Sequence, residues 1–164
     1  MRQRRNYSGF SLIEVFIALA VIALILGIAL PTYSEHRKRV LIAQAQKDIV
    51  LIGQRLETYF ALNYEYPEYL ADMGIVEMED PWGNEYQYLN KADVDPVTGS
   101  IATGTQGAKP VARTALGNGA INSDFDLFSM GEDGDYDSNI GSDESADDVI
   151  RADNGDFVDL AEKY

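Results

Sequence analysis

The sequence predicts an α+β fold: one long N-terminal helix, membrane-type in its first half and amphipathic in its second, packed on a small antiparallel sheet. Three observations predict it. Residues 10–30 form an apolar run with a single charge, Glu14. Ile42, Ala45, Ile49, Ile52, Leu56 and Tyr59 recur at spacings of 3, 4, 3, 4 and 3, which is one face of a helix. Glu85–Leu89 and Asp124–Met130 alternate in character with the period of two that a strand requires.

A chain of 164 residues has room for one modest domain and an appendage, since a single core is normally built from about 100–150 residues. Lys and Arg together number 13 against 27 Asp and Glu, and from Asp124 onward there are 14 acids and only two bases, Arg151 and Lys163. That surface repels phosphate groups and anionic lipid, so nucleic acid is not expected as a partner, whereas a cation is. With no cysteine, thiol catalysis, zinc–thiolate sites and disulfides are excluded.

Residues 1–9 carry Arg2, Arg4 and Arg5 and have no apolar face, so they read as a leader. In an ordinary secretory signal the apolar region precedes the cut. Here it follows the small residue Gly9, and cleavage there would leave the apolar run on the mature protein. As a helix, the 21 residues from Phe10 to Leu30 span about 32 Å, close to the ~30 Å of bilayer hydrocarbon. Three bases flank each end, Arg2, Arg4 and Arg5 against Arg37, Lys38 and Arg39, so inward orientation of the N-terminus rests on the leader more than on charge. Pro31 removes a backbone donor and disfavours helical geometry at Leu30, and a kink or local melting is expected there. The helix then resumes to about Leu62. The division is a leader over 1–9, a membrane-spanning half over 10–31 and a soluble head over 32–164.

Pro67, Gly74, Pro81 and Gly83 break the chain beyond the helix into short pieces, with a turn at Asp80–Asn84. Trp82, Tyr86 and Tyr88 are expected between the amphipathic half-helix and the sheet, because aromatic side chains dominate small cores. Residues 93–122 read as an exposed loop region, with a short strand at Pro110–Ala112 as its one candidate element. The strand at Asp124–Met130 is expected antiparallel to the one at Glu85–Leu89. Beyond Gly131 the chain reads as acidic loop, with Phe157–Leu160 tacking the end back onto the fold.

Two constellations stand out. A carboxylate such as Glu14 inside an apolar run costs about 2.5–3.5 kcal/mol on insertion scales unless paired. Its nearest partner is the α-amine that cleavage would create on Phe10, in the same chain or a neighbour; the plainer alternative is snorkelling to the headgroups. The second is Asp133-Gly-Asp135-Tyr-Asp137-Ser-Asn139, continuing to Asp143-Glu144. Counted from Asp133, oxygen side chains fall at places 1, 3, 5 and 7 and Glu144 at 12, the spacing of an EF-hand loop, with Ser138 where glycine is usual. Hard oxygens suit calcium; the competing reading is a solvated acidic loop. Catalytic signals are weak: His36 is the only histidine and stands among bases, and neither G-x-S-x-G nor a phosphate-binding glycine loop is present. Asp147 and Asp148 read as adjacent solvated acids.

Gly9-Phe10-Ser11-Leu12-Ile13-Glu14-Val15 resembles the leader-peptidase site of the type IV pilin superfamily. The resemblance makes Gly9 the last leader residue, Phe10 the new, N-methylated terminus and Glu14 the family's fifth-residue glutamate, and Pro31 matches its proline. Asp80-Pro-Trp-Gly-Asn-Glu-Tyr-Gln-Tyr88 and Asp126-Leu-Phe-Ser-Met-Gly-Glu-Asp-Gly134 are similar to the major pseudopilin branch of type II secretion. That resemblance implies a type IV pilin-like fold with a C-terminal calcium loop, whose ligands would be Asp133, Asp147 or Asp148, and backbone oxygens around Leu127 to Met130. This set shares Asp133 with the EF-hand spacing and differs over Asp135, Asp137 and Glu144, and both sets stand.

The resemblance further implies a non-enzymatic structural subunit: a homopolymer in a periplasmic filament of type II secretion, cut by a prepilin peptidase. It would be held in the inner membrane before assembly and work with minor pseudopilins and an inner-membrane platform. The alternatives are a type IV pilin of a surface pilus, serving adhesion, motility or DNA uptake, and, from another class, a monomeric membrane-anchored ligand-binding or enzymatic head.

Overall fold

The computed structural model describes residues 11–75, 78–91, 114 and 119–164, the side chains of 29–32 excepted. Gly9 and Phe10, the rest of the leader and the Pro110–Ala112 segment lie outside these.

Helix α1, Leu12–Asn63, begins within two residues of the expected start and ends one beyond the expected finish. Helical geometry continues through Pro31, so the expected melting there does not occur. The physical reason is local: proline removes one donor, and the hydrogen bonds of the turns before and after it remain. The chain divides into two units, up to Arg39 and from Val40 onward. In the first, the side chains described over 12–28 are all exposed, Leu12, Phe16, Leu24 and Ile28 each by more than 60%.

In the second unit the predicted stripe is the buried one. Ala45, Ile49, Ile52 and Leu56 are wholly inaccessible to solvent, with Ile42 packed beside them. They meet a sheet of four antiparallel strands in the order β1-β2-β3-β4: Gln87–Asn90, Phe125–Ser129, Val149–Ala152 and Phe157–Leu160. β1 pairs with β2 as expected, Tyr88 opposite Leu127. Tyr86, Tyr88, Phe125, Leu127 and Val149 face the helix, with Trp82 half-buried against them. The Tyr86 hydroxyl donates to Asp48 on α1, and burial first, then that carboxylate, raises its pKa.

The acidic stretch beyond Gly131 departs from expectation. Only part of it is loop, for Val149–Ala152 is a central strand whose four side chains are all buried. A strand covered on both faces loses the apolar–polar alternation that marks a half-exposed one. Val149 faces the helix, while Ile150 and Ala152 join Phe128, Ile121, Ile140 and Ala161 in a second cluster on the other face. Phe157–Leu160 does return to the fold, as β4 beside β3. Ile121 and Asn122, read as exposed loop, are buried, and the Ile121 carbonyl accepts from the Asp153 N–H at 2.9 Å.

Candidate functional site

Three features of the molecule bear on function. The first is the start of α1. Glu14 lies exposed in the first helical turn, its N–H bonded to the Ser11 carbonyl at 3.1 Å. An acid in that turn is favoured by the unsatisfied N–H groups and the positive end of the helix dipole. The helix around it is long and apolar enough to cross a membrane by length and composition.

The second feature is a lock between two motifs that are 40 residues apart and more in sequence. In the turn after Met78, Asp80 is buried, and its Oδ1 accepts from the N–H groups of Trp82 and Asn84 at 3.0 and 2.9 Å. Its Oδ2 accepts from the Ser129 hydroxyl at the end of β2. Asn84 donates to the Gly131 carbonyl at 3.0 Å, and Ser129 Oγ accepts from the Gly131 N–H. Gly131 has φ +66°, and a Cβ there would lie 2.5 Å from the Asp147 carbonyl oxygen and 2.6 Å from its Oδ2. Gly134, at φ +73°, would bring a Cβ to 3.3 Å from Asn84 Oδ1. The turn chemistry of an Asp followed by Pro and Gly is visible in sequence. That it grips Ser129 and Gly131 is not.

The acidic loop hangs from this lock. Asp147 Oδ2 accepts from the N–H groups of Glu132 at 2.8 Å and Asp133 at 3.3 Å, so the fold brings Asp147 to Asp133 beside Met130. Asp133 Oδ1 accepts from the Asp135 N–H, and Asp137 Oδ1 from the Asn139 N–H, at 2.9 and 2.7 Å. Buried Ser145 ties the far side, accepting from the Asp137 N–H. Asp135, Asp137 and Glu144 are exposed, and among the described residues no group of three or more acids or histidines is arranged to hold a metal. Asp148, read as solvated, is wholly buried because it leads directly into β3, and its carbonyl accepts from the Ala161 N–H. Leu127 sits inside β2, paired with Tyr88, while Met130 follows that strand.

The third feature escaped sequence reasoning. Arg151 on β3, 5% exposed, donates in a fork to Asp124 at 2.9 and 2.6 Å and to the Phe125 carbonyl at 3.1 Å, its guanidinium 3.8 Å above the Phe125 ring. Asn122 donates to Asp126 and to the Arg151 carbonyl, and Lys91 pairs with Asp126 at 2.5 Å. Burial alone would raise the Asp124 pKa, but the hydrogen bonds and charge of Arg151, with the Phe125 N–H, bring it below the usual carboxylate value. A forked, charge-assisted pair packed on an aromatic ring is the arrangement arginine serves best. The one signal available was that Arg151 stands isolated among acids.

The half of α1 from Val40 onward packed on a four-stranded antiparallel sheet is an α+β arrangement consistent with a type IV pilin-like fold. Residues 4–30 match the family described as the prokaryotic N-terminal methylation motif. The chain is similar to the type II secretion system core protein G of Pseudomonas aeruginosa, 27% identical over 170 aligned positions that cover 85% of this chain and 97% of that protein. Core protein G of Vibrio cholerae is 26% identical over 66% of this chain and 85% of its own length, and that of Escherichia coli 24% over 57% and 79%. No solved structure matches.

Proposed function

We propose that this chain is the major structural subunit of a type II secretion pseudopilus, a filament that helps export folded proteins. The observation that carries the reading is the similarity to core protein G of Pseudomonas aeruginosa over 85% of this chain and 97% of that protein, together with the methylation motif over residues 4–30. It favours the secretion filament over a surface pilus. The exposed apolar half of α1 supports it physically: this segment needs lipid before assembly and other copies of itself afterwards.

The mechanism centres on Glu14. Cleavage after Gly9 by a prepilin peptidase would free the Phe10 α-amine, which is then methylated. Glu14 of an incoming subunit would pair with that amine on its predecessor, removing the cost of two charges in an apolar setting. Minor pseudopilins and an inner-membrane platform would start and drive the polymer. The head would lie in the periplasm, and the subunit itself catalyses nothing.

Calcium belongs to the same proposal. The residues proposed to hold it are those the resemblance implied, Asp133 and Asp147 with backbone oxygens near Met130, and the bond from the Asp133 N–H to Asp147 Oδ2 supports that pairing. Hard carboxylate and carbonyl oxygens suit that ion, and bound there it would neutralise a crowded acidic corner. Because a ligand of the native state stabilises it by about 2.7 kcal/mol at a hundred times its Kd, the full chain should melt higher in calcium than in chelator. Equal melting temperatures would remove calcium from the proposal.

Electron microscopy of the mature protein tests the main reading. Wild type is expected to form filaments, Glu14→Ala is expected to form few or none, and Gly9→Ala should leave the leader uncut by mass. Abundant filaments from Glu14→Ala would refute the pairing step.

A further inference from the structure

At the end of α1 the chain folds over itself to form a cleft of about 560 Å³ lined by Tyr59, Phe60, Tyr64, Tyr66, Glu65 and Glu68 among others. Phe60 and Tyr66 stack with ring centroids 4.6 Å apart, and Tyr66 in turn meets Phe125 edge-on at 5.0 Å, so the aromatic wall is anchored in the core. Tyr64 stands at its mouth, 87% exposed and in the left-handed region at φ +62°. Among the described residues, no basic side chain lines this cleft. A large aromatic in a backbone conformation that L-residues avoid is held there at a cost.

Aromatic faces bordered by carboxylates recognise cations, since the ring quadrupole and the acids attract the same charge. The chain has one run of three consecutive bases, Arg37-Lys38-Arg39, and all three are exposed. Elsewhere in the head the bases are single, and Lys91, Arg151 and Lys163 already pair with Asp126, Asp124 and Asp159.

We propose that the cleft at Tyr59–Glu68 receives the Arg37–Arg39 segment of a second copy of this chain. The inference rests on the polymeric reading above and names one contact within it. Acid and aromatic groups on one copy meet bases on the next, a heterologous contact that repeats without closing, as a filament requires. Electrostatic pairing of this kind also fixes register between copies.

Because the chain lacks cysteine, the contact can be read by disulfide trapping in the full-length protein expressed with its assembly machinery. The double variant Lys38→Cys with Tyr64→Cys should give a ladder of dimers, trimers and higher species on oxidation, and neither single variant should go beyond dimers. Glu65→Lys with Glu68→Lys should cut filament yield about tenfold, the scale of a lost charged contact. Adding Arg37→Glu and Lys38→Glu should restore it. Filaments of normal abundance without a ladder, and without loss in the cleft variant, would overturn the contact and leave the polymer standing. Absence of filaments in wild type would overturn both. Loss of membrane association on reversing Arg37 and Lys38, with no ladder, would assign those bases to lipid headgroups and also overturn the contact.

Discussion

The two halves of α1 are built from the same helix-forming vocabulary and end in opposite circumstances. Over 12–28 apolar side chains point in every direction and remain exposed, whereas over 42–56 a stripe of them, Ile42, Ala45, Ile49, Ile52 and Leu56, is covered by the chain's own sheet, with Val50 and Leu51 left outside it. The difference lies in pattern. An all-round apolar helix cannot be satisfied by a single neighbouring face, so it needs a solvent or partners that surround it. A stripe needs one surface, and the chain supplies it with Tyr86, Tyr88, Phe125, Leu127 and Val149. One half is thus made for the membrane and the polymer, the other for the subunit.

The largest test of this contrast sets Phe125→Ala against Leu24→Ala in full-length protein held in detergent. Removing the wholly buried ring of Phe125 should lower head stability by about 3–5 kcal/mol, read from the urea midpoint. Leu24 is 68% exposed, and its truncation should move that midpoint by less than about 0.5 kcal/mol. Comparable losses would mean that the first half is packed by its own chain after all.

Next in size is Arg151→Met. It strips Asp124 of its fork and Phe125 of its cation, and about 3 kcal/mol should be lost, as when one member of a largely buried pair is removed. The same pair gives the head an acid sensitivity. The folded-state pKa of Asp124 is lowered, so its contribution is complete above the unfolded value of about 4 and disappears as pH falls through the folded one. Asp124→Asn should therefore narrow the gap between unfolding midpoints at pH 7 and pH 3. An unchanged gap would show that other carboxylates carry the acid response.

Smaller still is Gly131→Ala. The left-handed backbone and the 2.5 Å approach to the Asp147 carbonyl leave no room for a Cβ, and about 1–3 kcal/mol should be lost. The loss should fall on the acidic loop, seen as faster amide exchange at Glu132 and Asp133. Uniform acceleration across the sheet instead would mean that the loop and sheet unfold as one.

Much of the fold was legible in the chain itself. The apolar run, the 3-4 stripe and the alternating segments around Tyr88 and Leu127 write their environments into local periodicity, which needs no knowledge of neighbours. The same holds for the N-terminal motif, whose match over residues 4–30 is a match of sequence. β3 was hidden because Val149, Ile150 and Ala152 are covered on both faces, and Arg151 interrupts them with a charge that only its partners explain. The acidic loop shows the limit most clearly. Asp133 and Asp137 cap their own backbone within it, while the bond from the Asp133 N–H to Asp147, from beyond the loop, is a contact that no spacing shows.

By itself, then, the sequence determined where the helix runs, which half faces its own sheet and which half is left for lipid or other copies. The tertiary structure alone decided that Asp80 holds Ser129, that Arg151 closes on Asp124, and that Asp147 rather than Glu144 meets the acidic corner. Periodicity is a property of consecutive residues and survives in the one-dimensional record. Hydrogen bonds between residues 15 to 49 positions apart depend on register and strand order, which exist only once the chain has folded.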